Sequence, residues 1–306
     1  MKPIILIISV ILISFISACG RSKPHSPTLT LQSTNTNIPS EAIPQVTQEI
    51  ATRKIPSSQT CVLSEWGFPS PDGQWLAKSC DNDIPPIQEY VQVSNTHDSR
   101  QWQVEWDQSD SYSSYLSSRY WSKDGAYLYL VSMNTIGGPM INFWDGSGLL
   151  RLNLDTGKSE EILPEGYYAF SFSTDNRLAY IHRGYQPPQF LNIMNLTRET
   201  LQSFSLGTIY CGIGHMMWSP QNDHIIFTAA TCAEYPYIAS LYSLVILDLV
   251  TGDYHTFYSS PNILPHPLKW EHDYPMYQTP IYNENTQPEC WVLNLDVGGL
   301  LPAACP

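Results

Sequence analysis

Trp66-Gly67-Phe68-Pro69-Ser70-Pro71-Asp72-Gly73-Gln74-Trp75-Leu76-Ala77 is the stretch from which the fold is read. Ser-Pro-Asp-Gly pre-sets the dihedrals of a tight turn, and the alternating apolar residues after it make a half-buried strand. The pattern returns as Trp121-Ser122-Lys123-Asp124-Gly125-Ala126-Tyr127-Leu128-Tyr129 and as Phe172-Ser173-Thr174-Asp175-Asn176-Arg177-Leu178-Ala179-Tyr180. A fourth copy is Trp218-Ser219-Pro220-Gln221-Asn222-Asp223-His224-Ile225-Ile226-Phe227, and a degraded fifth begins at Trp270. The serines at 70, 122, 173 and 219 are 52, 51 and 46 residues apart. Self-similarity at that period is the mark of a repeat architecture.

A second pattern runs out of phase with the first. Leu152-Asn153-Leu154-Asp155-Thr156-Gly157-Lys158 and Leu247-Asp248-Leu249-Val250-Thr251-Gly252-Asp253 are its clear forms. Ile193-Met194-Asn195-Leu196-Thr197-Arg198 and Val292-Leu293-Asn294-Leu295-Asp296 are looser ones. Each is a strand entering another hairpin. Two hairpins per period make a four-stranded antiparallel sheet, the blade of a β-propeller. Residues 61–306 divide into five units of about 49 residues, so the expectation is an all-β propeller of five four-stranded blades, with six as the alternative count. The last unit lacks an evident fourth strand, for which the Leu300 to Cys305 tail and the residues before Cys61 are the two candidates.

Composition agrees. Aromatic residues make up 12% of the chain, prolines number 24, and charged residues are only 14%, which favours strands and turns over helices. The formal charge is −13, and after residue 60 there are 26 acidic residues against 10 basic ones. A domain so poor in Lys and Arg has little to place on phosphates, so nucleic acid is not an expected partner.

The N-terminus carries different information. Lys2 is followed by an almost unbroken apolar run from Ile4 to Ile16, the length of a signal-peptide core and short of a membrane span. Residues 1–18 are therefore expected to be a signal peptide. Ile16-Ser17-Ala18-Cys19-Gly20 resembles the lipobox of bacterial lipoproteins, with isoleucine in place of the usual leucine. That resemblance implies that Cys19 is acylated and becomes the new N-terminus, attaching the chain to a membrane of the cell envelope through lipid. Arg21 to Thr60 is rich in Ser, Thr, Pro, Asn and Gln without a hydrophobic period, so residues 19–60 are expected to be a disordered tether and 61–306 the propeller.

Six cysteines remain, and an exported chain is expected to oxidise them. Cys61 and Cys80 flank the Ser70 to Gly73 turn, and Cys211 and Cys232 flank the Pro220 to Asp223 turn, so each pair would face itself across one hairpin. Cys290 and Cys305 then pair by elimination. Six cysteines permit fifteen connectivities, so this local set is one hypothesis among them. The absence of Cys-x-x-Cys spacing argues against a metal site, and no cofactor is expected.

The Trp-Ser-Pro-Asp-Gly and Asp-Leu-x-Thr-Gly pairs resemble the TolB-like, WD-like propeller repeats of bacterial envelope proteins. That resemblance spans nearly all of residues 61–306 and implies an interaction platform more than an enzyme. Asp155-Thr156-Gly157 spells the aspartic-protease tripeptide, but the repeat at Asp248 to Gly252 makes it turn chemistry. No Gly-x-Ser-x-Gly elbow is present, and His215, His224 and His272 read as ordinary residues. The enzymatic alternative is a carbohydrate-active hydrolase on a five-bladed propeller, with Glu65 and Glu271 as its carboxylates.

First-to-second and third-to-fourth strand turns share one rim of a propeller. The opposite rim then carries the longer loops, with Trp144, Tyr185, Tyr235 and Tyr237 as the expected contacts for a protein or glycan partner in the envelope. The expected function is accordingly that of an extracytoplasmic, non-catalytic binding or scaffold module.

Overall fold

The computed structural model describes residues 49–50, 52–53, 67–81, 89–105, 114–134, 146–182, 190–196, 200–232, 239–261, 264–271, 274–278, 289–294 and 299–305. Among them the only regular elements are strands, and apart from two short N-terminal ones they fall into five successive four-stranded antiparallel units. Unit 1 is β3 (Phe68–Pro69), β4 (Trp75–Asp81), β5 (Glu89–Asn95) and β6 (Gln101–Val104). Unit 2 is β7 (Ser114–Trp121), β8 (Tyr127–Asn134), β9 (Ser147–Asn153) and the first part of β10 (Ser159–Phe172). The last part of β10 opens unit 3, which continues with β11 (Arg177–His182), β12 (Phe190–Asn195) and β13 (Thr200–Ser205). Unit 4 is β14 (Gly212–Trp218), β15 (His224–Cys232), β16 (Ala239–Asp248) and β17 (Tyr254–Ser260). Unit 5 is β18 (His266–Glu271), β19 (Tyr274–Gln278), β20 (Cys290–Asn294) and β21 (Gly299–Ala303).

The fold is thus an all-β propeller. The C-terminal tail supplies the fourth strand of unit 5, with Leu300 opposite Leu293 and Ala303 opposite Cys290. The tether expectation needs a correction at its C-terminal end. Glu49–Ile50 (β1) pairs with Glu160 and Ser159 of β10, and Thr52–Arg53 (β2) pairs with Val104 and Gln103 of β6. Backbone pairing therefore begins before residue 61: open sheet edges offer unpaired amides and carbonyls to any passing extended segment, whatever its composition. The signal peptide, Cys19 and Cys61 lie outside the described residues.

Strand alternation builds the core. In β8, Leu128 and Leu130 point toward unit 1, whereas Tyr129 and Val131 point toward unit 3, and all four are at most 1% exposed. In β11, Leu178 and Tyr180 face unit 2 while Ala179 and Ile181 face unit 4. In β16, Val245 and Leu247 face unit 3 while Leu244 and Ile246 face unit 5. The blades are buried on both faces, so four apolar clusters fill the four interfaces between consecutive units, and each fully buried Leu or Ile there contributes about 1.5–3 kcal/mol.

The turn serine holds each hairpin shut. Ser70, Ser122, Ser173 and Ser219 are all buried. Each hydroxyl accepts the amide that opens the second strand: Trp75 at 2.9 Å, Tyr127 at 2.8 Å, Arg177 at 2.7 Å and His224 at 3.0 Å. Three residues after each serine the chain takes positive φ, at Gly73, Gly125, Asn176 and Asn222, the conformation that Gly and Asn tolerate best. Replacing Ser122 by Ala leaves the Tyr127 amide without that acceptor. The expected loss is about 1–3 kcal/mol of unfolding free energy. A chemical-denaturation comparison checks it, with the exposed Ser203→Ala as a control expected to stay within about 0.5 kcal/mol.

Candidate functional site

Three surfaces could carry function: the rim of tight turns, the opposite rim, and the inner edge formed by the first strand of each unit. First strands of neighbouring units approach one another, β10 with β14 and β14 with β18, which identifies the inner edge.

The tight-turn rim is built from two interlocked turns per unit. Besides accepting an amide, the serine hydroxyl donates to an aspartate: Asp72 at 2.6 Å, Asp175 at 2.5 Å and Asp223 at 2.7 Å, with Asp124 bonded likewise to Ser122. At the end of the third strand a second side chain organises the other turn. Asn95 Oδ1 accepts the amides of His97 and Asp98, Asn153 Oδ1 those of Asp155 and Thr156, and Asp248 Oδ1 those of Val250 and Thr251. The Asp155-Thr156-Gly157 tripeptide is turn chemistry, as the repeat requires. Gly157 has positive φ, and a Cβ there would meet the Trp102 ring, so glycine is needed on both counts.

The two turns of one unit are tied by the same backbone bond each time. The amide of Thr96, Leu154, Leu196 or Leu249 donates to the carbonyl of Gln74, Ala126, Asn176 or Asp223 respectively. Both turn families therefore lie on one rim. Bonds between units run along it as well: Trp102 Nε1 donates to the Leu154 carbonyl at 3.0 Å, Arg151 to Leu196 at 3.0 Å, Arg177 to Asn222 at 2.8 Å and Gln202 to Leu249 at 3.2 Å. Arg151 and Arg177 are thus engaged as rim ties, and Arg177 also lies 4.9 Å over the Trp218 ring. His224 is held by Asp223, Nδ1 to Oδ1 at 2.8 Å, in keeping with an ordinary satisfied residue.

The opposite rim holds the loops expected to bind. Trp144, Tyr185, Tyr235 and Tyr237 lie outside the described residues, as do Glu65 and His272. Glu271 ends β18, but its side chain is outside them too, so both carboxylates of the hydrolase reading lie beyond what the structure describes. Among the described residues no group of three His, Cys, Asp or Glu side chains is arranged to hold a metal ion. Cys290 and Cys305 are joined by a disulfide with Cα atoms 5.1 Å apart. Cys80 and Cys211 are also disulfide-bonded, while Cys61 and the Cys232 side chain lie outside the described residues.

The inner edge holds features that the sequence reading missed. The first strand of units 2 to 5 carries an extra residue at one and the same place, about two residues before the repeat aromatic. The register slips at Arg119, at Ala169 and Phe170, at His215 and Met216, and at Leu268. Such bulges bend a strand and re-aim its side chains. Ala169 and His215 take φ of 57° and 50°, unusual for residues other than Gly and Asn. Arg119 and His215 belong to neither apolar face of their units, and Arg119 is exposed. Only a residue-by-residue alignment of the repeats could have exposed this position, since an alanine such as Ala169 does not announce positive φ.

No family model matches this chain, and no curated relative does. Its shape is similar to several solved structures. TolB from Agrobacterium tumefaciens shares 15% identity at a TM-score of 0.39, over 62% of this chain and 63% of that one, so the match spans less than two thirds of the TolB chain. The propeller domain of the Trilobed protease from Pyrococcus furiosus shares 11% identity at 0.48, over 79% and 72%. The periplasmic gluconolactonase of Pseudomonas aeruginosa shares 14% at 0.46, over 78% and 68%. These are likenesses of fold alone.

The turn carboxylates titrate with the fold. The Ser70 hydroxyl and the Gln74 amide lower the pKa of Asp72, and the Ser122 hydroxyl and Ala126 amide lower that of Asp124. At Asp175 burial pushes the other way, but bonds from Arg177 and Ser173 outweigh it. A depressed carboxylate stabilises the fold above its unfolded value of about 3.9 and loses that contribution as pH falls through the folded value. Stability should therefore be flat in these groups above about pH 5 and fall in acid. Asp124→Asn is expected to make the acid limb of a thermal-midpoint-versus-pH curve shallower, with its largest penalty at neutral pH.

Proposed function

We propose that this chain is a lipoprotein of the bacterial cell envelope, acylated at Cys19, whose propeller acts outside the cytoplasm as a non-catalytic module for a protein or glycan partner. The lipobox stretch Ile16 to Gly20 supports the anchor. Disulfide bonding at Cys80, Cys211, Cys290 and Cys305 is what an oxidising, exported setting calls for. The TolB-like character of the repeats supports a binding role over a reaction.

The observation that carries the binding reading is the engagement of the tight-turn rim with itself. Its serines hold turn backbone, their hydroxyls engage the turn aspartates, and Arg100, Arg151 and Arg177 reach the neighbouring unit. Groups bonded in that way are unsuited to act as a nucleophile, a proton donor or an adaptable contact. Recognition then falls to the opposite rim, where Trp144, Tyr185, Tyr235 and Tyr237 combine large contact area with few rotatable bonds.

Two measurements test the two halves. Cys19→Ala should abolish incorporation of labelled fatty acid and move the protein from the membrane to the soluble fraction of the cells that make it; an acylated or still membrane-bound variant defeats the anchor. Crosslinking in those cells identifies the partner. Replacing Trp144 and Tyr237 by Ala should then cut its capture at least about tenfold, as loss of two aromatic anchors predicts. Undiminished capture by a folded variant rules out this rim.

A further inference from the structure

The segment between the anchor and the propeller docks in a particular place. β1 lies on the start of β10, the outermost strand of unit 2, and β2 lies on β6, the outermost strand of unit 1. Both pairings are antiparallel, Glu49 opposite Glu160 and Ile50 opposite Ser159, then Thr52 opposite Val104 and Arg53 opposite Gln103. Within five residues the chain crosses from the perimeter of one blade to that of the next. The crossing spans the interface whose interior is filled by Trp75, Trp121, Leu128 and Leu150. Exposed blade edges are open rows of amides and carbonyls, and an extended segment satisfies them through backbone alone.

We propose that residues 49–53 are a strap that clasps unit 1 to unit 2 from outside, so that the chain N-terminal to it leaves the propeller sideways, from the perimeter of unit 2. Unit 1 needs such a clasp more than units 2 to 4 do. Among the described residues the apolar clusters join units 1 to 2, 2 to 3, 3 to 4 and 4 to 5, and none joins 5 to 1. Unit 1 is thereby held by one apolar face, and the strap adds a second hold on the same neighbour. On the lipoprotein reading, which the strap does not require, tension on the tether is taken first by backbone bonds at a blade edge. Both rims stay clear of the attachment point.

The two halves of the strap differ in strength. Glu49 takes the register position opposite Glu160, whose carboxylate is already bound by Arg151. Like charges placed directly across a strand pair oppose it. The unit 2 half is the one that opens first.

Hydrogen exchange on the full chain tests this. Residues 49–53 replaced by five prolines, which donate no backbone amides, should speed exchange of outward amides in 101–104 and 159–160 at least about tenfold, equivalent to ~1.4 kcal/mol. Exchange in 178–181 and 225–229 should be unchanged, and trypsin should cut the native chain after Arg53 more slowly than after Arg21. Glu49→Gln should slow exchange at 159–160 about two- to fivefold while leaving 101–104 alone. Equal exchange in native and replaced chains overturns the strap, and so does acceleration spread evenly over units 3 and 4. Should the replaced chain fail to fold, the trypsin comparison on the native chain still decides, because cutting after Arg53 as fast as after Arg21 overturns the strap. The outcome is independent of acylation at Cys19.

Discussion

A hydroxyl buried beneath the first tight turn of units 1 to 4, accepting the amide of the strand it opens and donating to an aspartate nearby, decides where the first hairpin of each of those units reverses. Ser70, Ser122, Ser173 and Ser219 occupy that place in units 1 to 4. Because the hydroxyl is bonded in both directions, the strand beyond it starts in a set register, and a one-residue slip would move every apolar side chain to the wrong face. Strand register fixes which face each side chain takes. In β8 and β11 that assignment sends alternate residues into different clusters, and in a blade covered on both sides each placement matters equally.

Interface packing and rim bonding then act at different radii. The clusters draw neighbouring sheets together through non-directional contact. The ties from Trp102, Arg151, Arg177 and Gln202 to carbonyls of the next unit fix how the sheets are offset along the axis. The bulges on the inner strands belong to the same geometry: first strands crowd together near the axis, and an extra residue bends each away from its neighbours. Ala169 and His215 hold positive φ at these bulges, with Ala169 wholly buried between units 3 and 4.

What could be read from sequence was what repeats. The turn serines, the Asp-x-Thr-Gly hairpins and the alternation of apolar residues all recur, and they carried the propeller and the shared rim of tight turns. The fourth copy was harder, since its aspartate stands four residues after the serine instead of two, yet Asp223 reaches the same hydroxyl. Bulges were invisible because an extra residue leaves no compositional trace. The docking of Glu49 to Arg53 was invisible for a related reason: edge pairing uses only the backbone, so a Ser- and Thr-rich tether looks the same whether it is bound or free. The loops expected to bind fall where the repeat stops, and there the sequence offered residue types without positions.

This division between repeated and unrepeated parts bears on where function can reside. A repeated rim satisfies its polar groups in much the same way in units 1 to 4. Its donors and acceptors are consequently directed inward, at turn amides and neighbouring carbonyls. Selection for a ligand acts on what differs between units, and in this chain the differences lie in the loops of the opposite rim and at the inner bulges, where Arg119, Phe170, Met216 and Leu268 share one structural position with four different side chains. On the proposed binding role, an acidic propeller with few cations on offer would draw its contacts from aromatic and hydroxyl surface more than from charge. A partner recognised in that way should bind with little dependence on ionic strength, whereas one held by the sparse arginines would have to compete with the rim ties that already use them.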